Sequence, residues 1–174
     1  MTKLFDFPSY SLQEVPEAMV FIPNNDPDGP AFDYIPLTQH LQGKRVVLIG
    51  IPGAFTPTCT EKHLPGFVKY ENEFYNAGID EICCVSYNDP WVMNAFSDYI
   101  NHENSRIVMI ADPKMSLTDL DLNSYKGTEL GVRLNRFAMV IDNNTIHKLF
   151  VDEKGLTNAT SENCLAFVKS EYKI

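Results

Sequence analysis

The sequence predicts an α/β fold, a central mixed β-sheet with helices on both faces, in a single domain over residues 1–174. Three observations carry this expectation. Segments with strand and helix periodicity alternate from Arg45 onward, the pattern of crossover units around a partly parallel sheet. Val46 to Ile51 (VVLIGI) is an unbroken apolar run rich in branched residues, which suits a central strand covered on both faces. The chain then closes with a hairpin and a single helix. With 174 residues, 44% of them hydrophobic and 21% charged, one domain can bury roughly 70% of its unfolded surface.

Each element has a local cause. The first 45 residues are rich in Pro, Asn and Asp and hold only short apolar pieces such as Ala18 to Ile22, so residues 1–44 read as an N-terminal arm and hairpin. Asn24 to Gly29 (NNDPDG) imitates the start of a calcium loop, but its twelfth position is Ile35 where a bidentate Glu is needed, which leaves a plain turn. A Pro-Gly turn ends the VVLIGI strand. Thr60 to Ala77 carries Leu64, Phe67, Val68, Phe74 and Ala77 at helical spacing, and Pro65-Gly66 within it predicts a kink near the second turn. Ile82 to Tyr87 is strand-like, with Cys83 and Cys84 on opposite sides of a regular pleat so that one of them is core. Asp89-Pro90 is an N-cap followed by a first-turn proline, and the apolar face Val92, Ala95, Phe96, Tyr99 and Ile100 extends the helix to about 101. Arg106 to Ala111 is a strand and Ser116 to Leu122 a short helix. Phe137 to Asp142 and Thr145 to Val151 form a hairpin through Asn143-Asn144, and Ser161 to Tyr172 is the closing helix. That order is the order of a thioredoxin-like fold.

Composition excludes several function classes. A formal charge of −9, with no run of Lys or Arg, argues against nucleic acid as a partner. No stretch approaches the ~20 apolar residues of a membrane span, and Met1 to Asp6 lacks a signal-peptide core. Four cysteines, two of them adjacent, make no disulfide framework, so a soluble protein of a reducing compartment, the cytoplasm, is expected. His40, His63, His102 and His147 show no metal-ligand spacing with the cysteines, so neither metal nor other cofactor is expected.

The chemistry concentrates in Pro52-Gly53-Ala54-Phe55-Thr56-Pro57-Thr58-Cys59, between a buried strand and a helix start. A Cys in the first turn of a helix faces unpaired N–H groups and the positive end of the macrodipole, both of which favour the thiolate nucleophile. Thr56 stands where a C-x-x-C dithiol would have its other cysteine, and its hydroxyl can bond an oxygen held beside the sulfur. The site suits an oxygen-containing substrate. Two other classes remain open: a thiol-disulfide oxidoreductase, against which the missing second Cys speaks, and a redox-regulated interaction protein or chaperone. His63 lies one turn after Cys59 on the same face, where it can raise local positive charge or simply pack. Arg136, taken alone, reads as a surface ion pair in an acidic protein.

PGAFTPTCTEKHLPGF, SYNDPWVMNAF and NRFAMV resemble the signature blocks of the type II, or atypical two-cysteine, peroxiredoxins, and the likeness runs from about Lys44 to the C-terminus. It implies a thioredoxin-fold, thiol-dependent peroxidase that reduces hydrogen peroxide and organic hydroperoxides without metal or haem. Cys59 would attack the peroxide and become a sulfenic acid, Thr56 would bond the peroxide, Pro52 would shield the sulfur and Arg136 would steady the oxygens. The family's plant-like resolving cysteine falls on Cys84, ahead of Val85-Ser86-Tyr87-Asn88-Asp89-Pro90. Cys164, in the closing helix, is the second choice, and reads by itself as a small packed residue. Without an internal partner, thioredoxin or glutathione with glutaredoxin would act on Cys59 directly. The resemblance also implies a homodimer, with Phe55 and Trp91 as contacts.

Overall fold

The computed structural model describes residues 13–101 and 104–172. The start of the arm, with the Met1 to Asp6 segment, and His102 lie outside the described residues. The strands are β1 (Gln13–Glu14), β2 (Met19–Pro23), β3 (Phe32–Pro36), β4 (Arg45–Gly50), β5 (Glu81–Ser86), β6 (Val108–Ala111), β7 (Asn123–Tyr125), β8 (Val132–Leu134), β9 (Arg136–Asp142) and β10 (Thr145–Asp152). The α-helices are α1 (Leu37–Leu41), α2 (Leu64–Lys69), α3 (Glu71–Asn76), α4 (Pro90–Ile100) and α5 (Ser161–Glu171). Eight strands form one mixed sheet in the order β1-β10-β9-β4-β5-β6-β2-β3, while β7 and β8 pair separately. β4, β5 and β6 run parallel, and β9 lies antiparallel against β4. Among the described residues no helix is long and apolar enough to cross a membrane.

Alternation along the central strands divides the interior into two cores. Val47, Ile49, Cys84, Ala138 and Val140 face the layer of α2 to α5, with Phe67, Phe74, Phe96 and Val168. Val46, Leu48, Cys83, Val85, Phe137, Met139 and Ile141 face the opposite side, where Leu37 and Leu41 of α1 and Leu117 cover them. Cys83 and Cys84 do point to opposite faces, but both are fully buried, because each face carries a core of its own. Gly50 at the end of β4 has no substitute: a Cβ there would lie 2.0 Å from the Phe137 ring.

The Asp89 carboxylate caps α4 by accepting from Val92 N–H at 3.0 Å, and the tight turn between β9 and β10 holds Asn143 and Asn144 at φ 44° and 68°, the left-handed region asparagine tolerates. The helix after β4 departs from expectation. Pro65-Gly66 does not kink it; the chain instead forms a π turn over Cys59–His63 immediately before the proline, with the Leu64 N–H bonded to the Cys59 carbonyl. The break comes at Tyr70 (φ −104°, ψ 14°), between α2 and α3. Shifting the ladder ahead of Pro65 accommodates a residue with no N–H to donate. Gly66 has a different use, since a Cβ there would meet Ser161 Oγ at 2.7 Å: its absence lets α2 and α5 approach.

Candidate active site

The loop from Pro52 to Thr56 leaves β4 and delivers the chain to the turn that carries Cys59. Two bonds hold it. Thr56 Oγ1 donates to the Gly53 carbonyl at 2.7 Å, and Ala54 N–H donates to Asn88 Oδ1 at 2.9 Å. Asn88 is itself fixed by Ser86 Oγ at 2.6 Å. Phe55 sits at φ 61°, a conformation that costs a bulky side chain of order 1 kcal/mol and persists because its surroundings enforce it. Its ring packs edge-on against Phe96 and Tyr99.

Cys59 is completely buried, and the group facing its sulfur comes from β9, the strand beside β4 in the sheet. Arg136, the first residue of β9, is 6% exposed and donates from Nη1 to Cys59 Sγ at 3.5 Å. It is therefore no surface ion pair. The same nitrogen reaches His63 Nδ1 at 3.1 Å, and the π turn keeps Cys59 and His63 on one side of the helix so that one guanidinium nitrogen serves both. The other ring nitrogen, Nε2, donates to the Ala159 carbonyl at 2.7 Å. A carbonyl only accepts, so Nε2 carries the proton and Nδ1 accepts from Arg136. Burial, then the Arg136 charge, push His63 down to about 3. It is a neutral acceptor that orients Arg136, and it adds no positive charge to the site.

A second layer fixes this arginine. Arg136 Nε donates to the Gly155 carbonyl at 2.8 Å, so the loop 153–159 holds both Arg136 and His63 through main-chain oxygens. That loop is in turn wound around the buried Asp152 carboxylate, which accepts from the N–H groups of Thr157, Asn158 and Ala159 at 2.9–3.0 Å. Arg133 Nη1 lies 3.4 Å from the Pro52 carbonyl while its Nε donates to the Leu130 carbonyl. Lys126 Nζ donates to Asn135 Oδ1 and the Glu153 carbonyl, and burial holds its ammonium below the ordinary lysine range. Asp152, Arg133 and Lys126 were not singled out from the sequence.

A cavity of about 260 Å³ is lined by Pro52, Thr56, Lys126, Arg136, Glu153 and Gly155 among others. It brings together three of the residues expected at the site, Pro52, Thr56 and Arg136, and reaches the guanidinium that faces Cys59. All four cysteines are free and buried. Cys84 shares the core of Cys59 and is laddered on both sides, opposite Ile49 and Met109. Burial, then the proximity of Cys59, raise its thiol well above the ordinary range. Cys164 stands in the same core on α5, and burial pushes its thiol up to about 12. Contrary to the expectation of no metal-ligand grouping, the fold brings His40, Glu81 and Cys83 together on the opposite face.

The family described as Redoxin matches residues 33–165. Peroxiredoxin-2E-2, chloroplastic, of Oryza sativa subsp. japonica is 35% identical over 80% of this chain and 64% of its own length. Peroxiredoxin-2D of Arabidopsis thaliana is 41% identical over 71% of this chain and 77% of its own. Among solved structures, reduced Prx3 of Vibrio vulnificus in complex with hydrogen peroxide is 35% identical and superimposes with a TM-score of 0.82, covering 90% of this chain and 96% of that one.

Proposed function

The chain belongs to the redoxin family and is a peroxiredoxin, a class of thiol-dependent peroxidases, and we propose that Cys59 is its peroxide-reducing thiol, assisted by Pro52, Thr56 and Arg136. The observation that carries the assignment is the buried Arg136 guanidinium 3.5 Å from Cys59 Sγ, at a cavity large enough for a small hydroperoxide. The hydrogen peroxide bound by the Vibrio vulnificus relative supports the same substrate class.

The Cys59 thiolate attacks one peroxide oxygen, so an S–O bond forms as the O–O bond breaks. The departing oxygen takes the electron pair and a proton and leaves as water or an alcohol, and Cys59 remains as sulfenic acid. Because the Thr56 hydroxyl hydrogen is committed to the Gly53 carbonyl, its oxygen is left to accept from a peroxide O–H. Arg136 supplies donors to the oxygens as charge develops on them, and Pro52 closes the wall beside them. Little proton transfer is required, so rate comes from alignment and charge.

For the second half, Cys84 is the resolving thiol: its sulfur attacks the Cys59 sulfenic sulfur, water leaves, and a disulfide forms for an external thiol to reduce. Thioredoxin, or glutathione with glutaredoxin, fills that role. The shared core supports this pairing, and the two-sided ladder around Cys84 means that the helical turn of Cys59 must move toward it, not the reverse. Cys164 is the second choice. The exposed Phe55 and Trp91 are contacts between two copies of the chain, and the four free cysteines support a cytoplasmic setting.

An NADPH-coupled assay, run separately with thioredoxin and with glutathione plus glutaredoxin, tests the function. Peroxide-dependent NADPH loss that disappears in Cys59→Ser is the expected result; equal loss in that variant contradicts it. Non-reducing peptide mapping after peroxide tests resolution, with a Cys59–Cys84 peptide expected and three free partner cysteines contradicting it.

A further inference from the structure

We propose that His40, Glu81 and Cys83 form a binding site for a divalent cation of zinc-like chemistry, on the sheet face opposite Cys59. The placement follows from the fold. Glu81 and Cys83 are two residues apart on β5 and so project from the same face, and His40 reaches them from the last turn of α1. His40 Nε2 lies 2.5 Å from Glu81 Oε1, Cys83 Sγ donates to the same oxygen at 3.0 Å, and the sulfur is 3.9 Å from the imidazole nitrogen.

Nitrogen, oxygen and sulfur therefore converge on one point, while Lys44 Nζ occupies the other carboxylate oxygen, Oε2, at 2.9 Å. Zinc binds these donors at about 2.0–2.3 Å, and the three atoms already surround a point roughly that far from each, so small side-chain adjustments suffice. The donor set is imidazole, carboxylate and thiolate, with a fourth position for water. On binding, Cys83 releases its proton and His40 coordinates through Nε2 with Nδ1 carrying the hydrogen. The thiolate and carboxylate then balance the two positive charges, and Lys44 keeps its bond to Oε2 as the outer partner that holds the carboxylate in place. Cys83 is fully buried, whereas the His40 and Glu81 side chains are 14% and 18% exposed, which gives the ion an entrance from solvent.

The test uses reduced, chelator-washed full chain titrated with zinc against a chromophoric chelator, and with cobalt to read the thiolate-to-metal charge-transfer band. Wild type and Cys59→Ser are expected to bind one equivalent with that band. His40→Gln should weaken zinc at least ~10-fold and Cys83→Ser should remove the band. Zinc should raise the melting temperature of wild type but not of His40→Gln, a readout that holds even where Cys83→Ser folds poorly. Equal affinity in His40→Gln, loss of binding in Cys59→Ser, or no charge-transfer band in wild type would overturn the site.

Discussion

On one face of the sheet Cys59 looks at a guanidinium 3.5 Å away; on the other, Cys83 donates to a carboxylate at 3.0 Å. Both sulfurs are completely buried. Burial, then Glu81, raise the Cys83 thiol well above the ordinary range, and burial alone does the same for Cys164. Desolvation thus makes a protein thiol inert by default, and what separates a nucleophile from a core residue is the charge built beside it. In the mechanism proposed for this chain that charge is Arg136, held beside Cys59 by the Gly155 carbonyl and His63.

The largest expected effect follows from removing the nucleophile: Cys59→Ser should reduce peroxide turnover to background while circular dichroism and melting stay near wild type. Arg136→Gln should slow the reaction with peroxide by ~10²–10³-fold, the range for losing one preorganised charge donor, a far larger effect than the loss of stability from leaving the buried His63 Nδ1 without its donor. A stopped-flow rate close to wild type would turn Arg136 into a structural residue.

Asp152→Ala reaches the same arginine through the loop 153–159. It leaves three N–H groups without their acceptor, and the one on the buried Ala159 costs ~1–3 kcal/mol. It should lower the peroxide rate by ~10²-fold or less through displacement of Arg136, with a clear drop in melting temperature.

Acid supplies a further contrast. His63 is held down to about 3 from 6.5, so between those values the unfolded chain binds the extra proton, and stability falls as pH drops from 6.5 toward 3. Glu81, lowered from 4.5 to about 2, acts in the same direction at lower pH. Melting temperature should therefore decline on acidification, and His63→Gln should flatten the upper part of that decline. The smallest effect belongs to Cys164→Ala, which should leave the peroxide reaction rate unchanged.

How much of this was legible depended on whether the cause was local. The apolar run of β4, the Asp89 cap and the Asn143-Asn144 turn follow from neighbouring residues, and the sequence states them directly. Pro65-Gly66 signalled a disturbance but not its form, because a π turn and a kink both answer a missing N–H. Pro52, Thr56 and Cys59 lie within eight residues and could be read as one site, whereas Arg136 joined them only through the family likeness. Asp152 and Lys126 could not be found, since each meets the site through contacts between segments distant in sequence: Asp152 through the N–H groups of 157–159, Lys126 through the Asn135 side chain and the Glu153 carbonyl. His40, Glu81 and Cys83 escaped for the same reason: forty residues separate the imidazole from β5, and only the packing of α1 on the second core brings them together.

The most direct test compares oxidation of the four cysteines. Reduced wild type and Arg136→Gln are each treated with one equivalent of hydrogen peroxide, quenched over a time course with a sulfenic-acid trap and a thiol alkylating agent, and mapped by mass spectrometry. The account expects Cys59 to be oxidised first in wild type, as trapped sulfenic acid or as its disulfide with Cys84, with Cys83 and Cys164 still alkylated, and expects that oxidation to be at least ~10²-fold slower in Arg136→Gln. Oxidation of Cys83 or Cys164 ahead of Cys59, or equal rates in the two proteins, would contradict it.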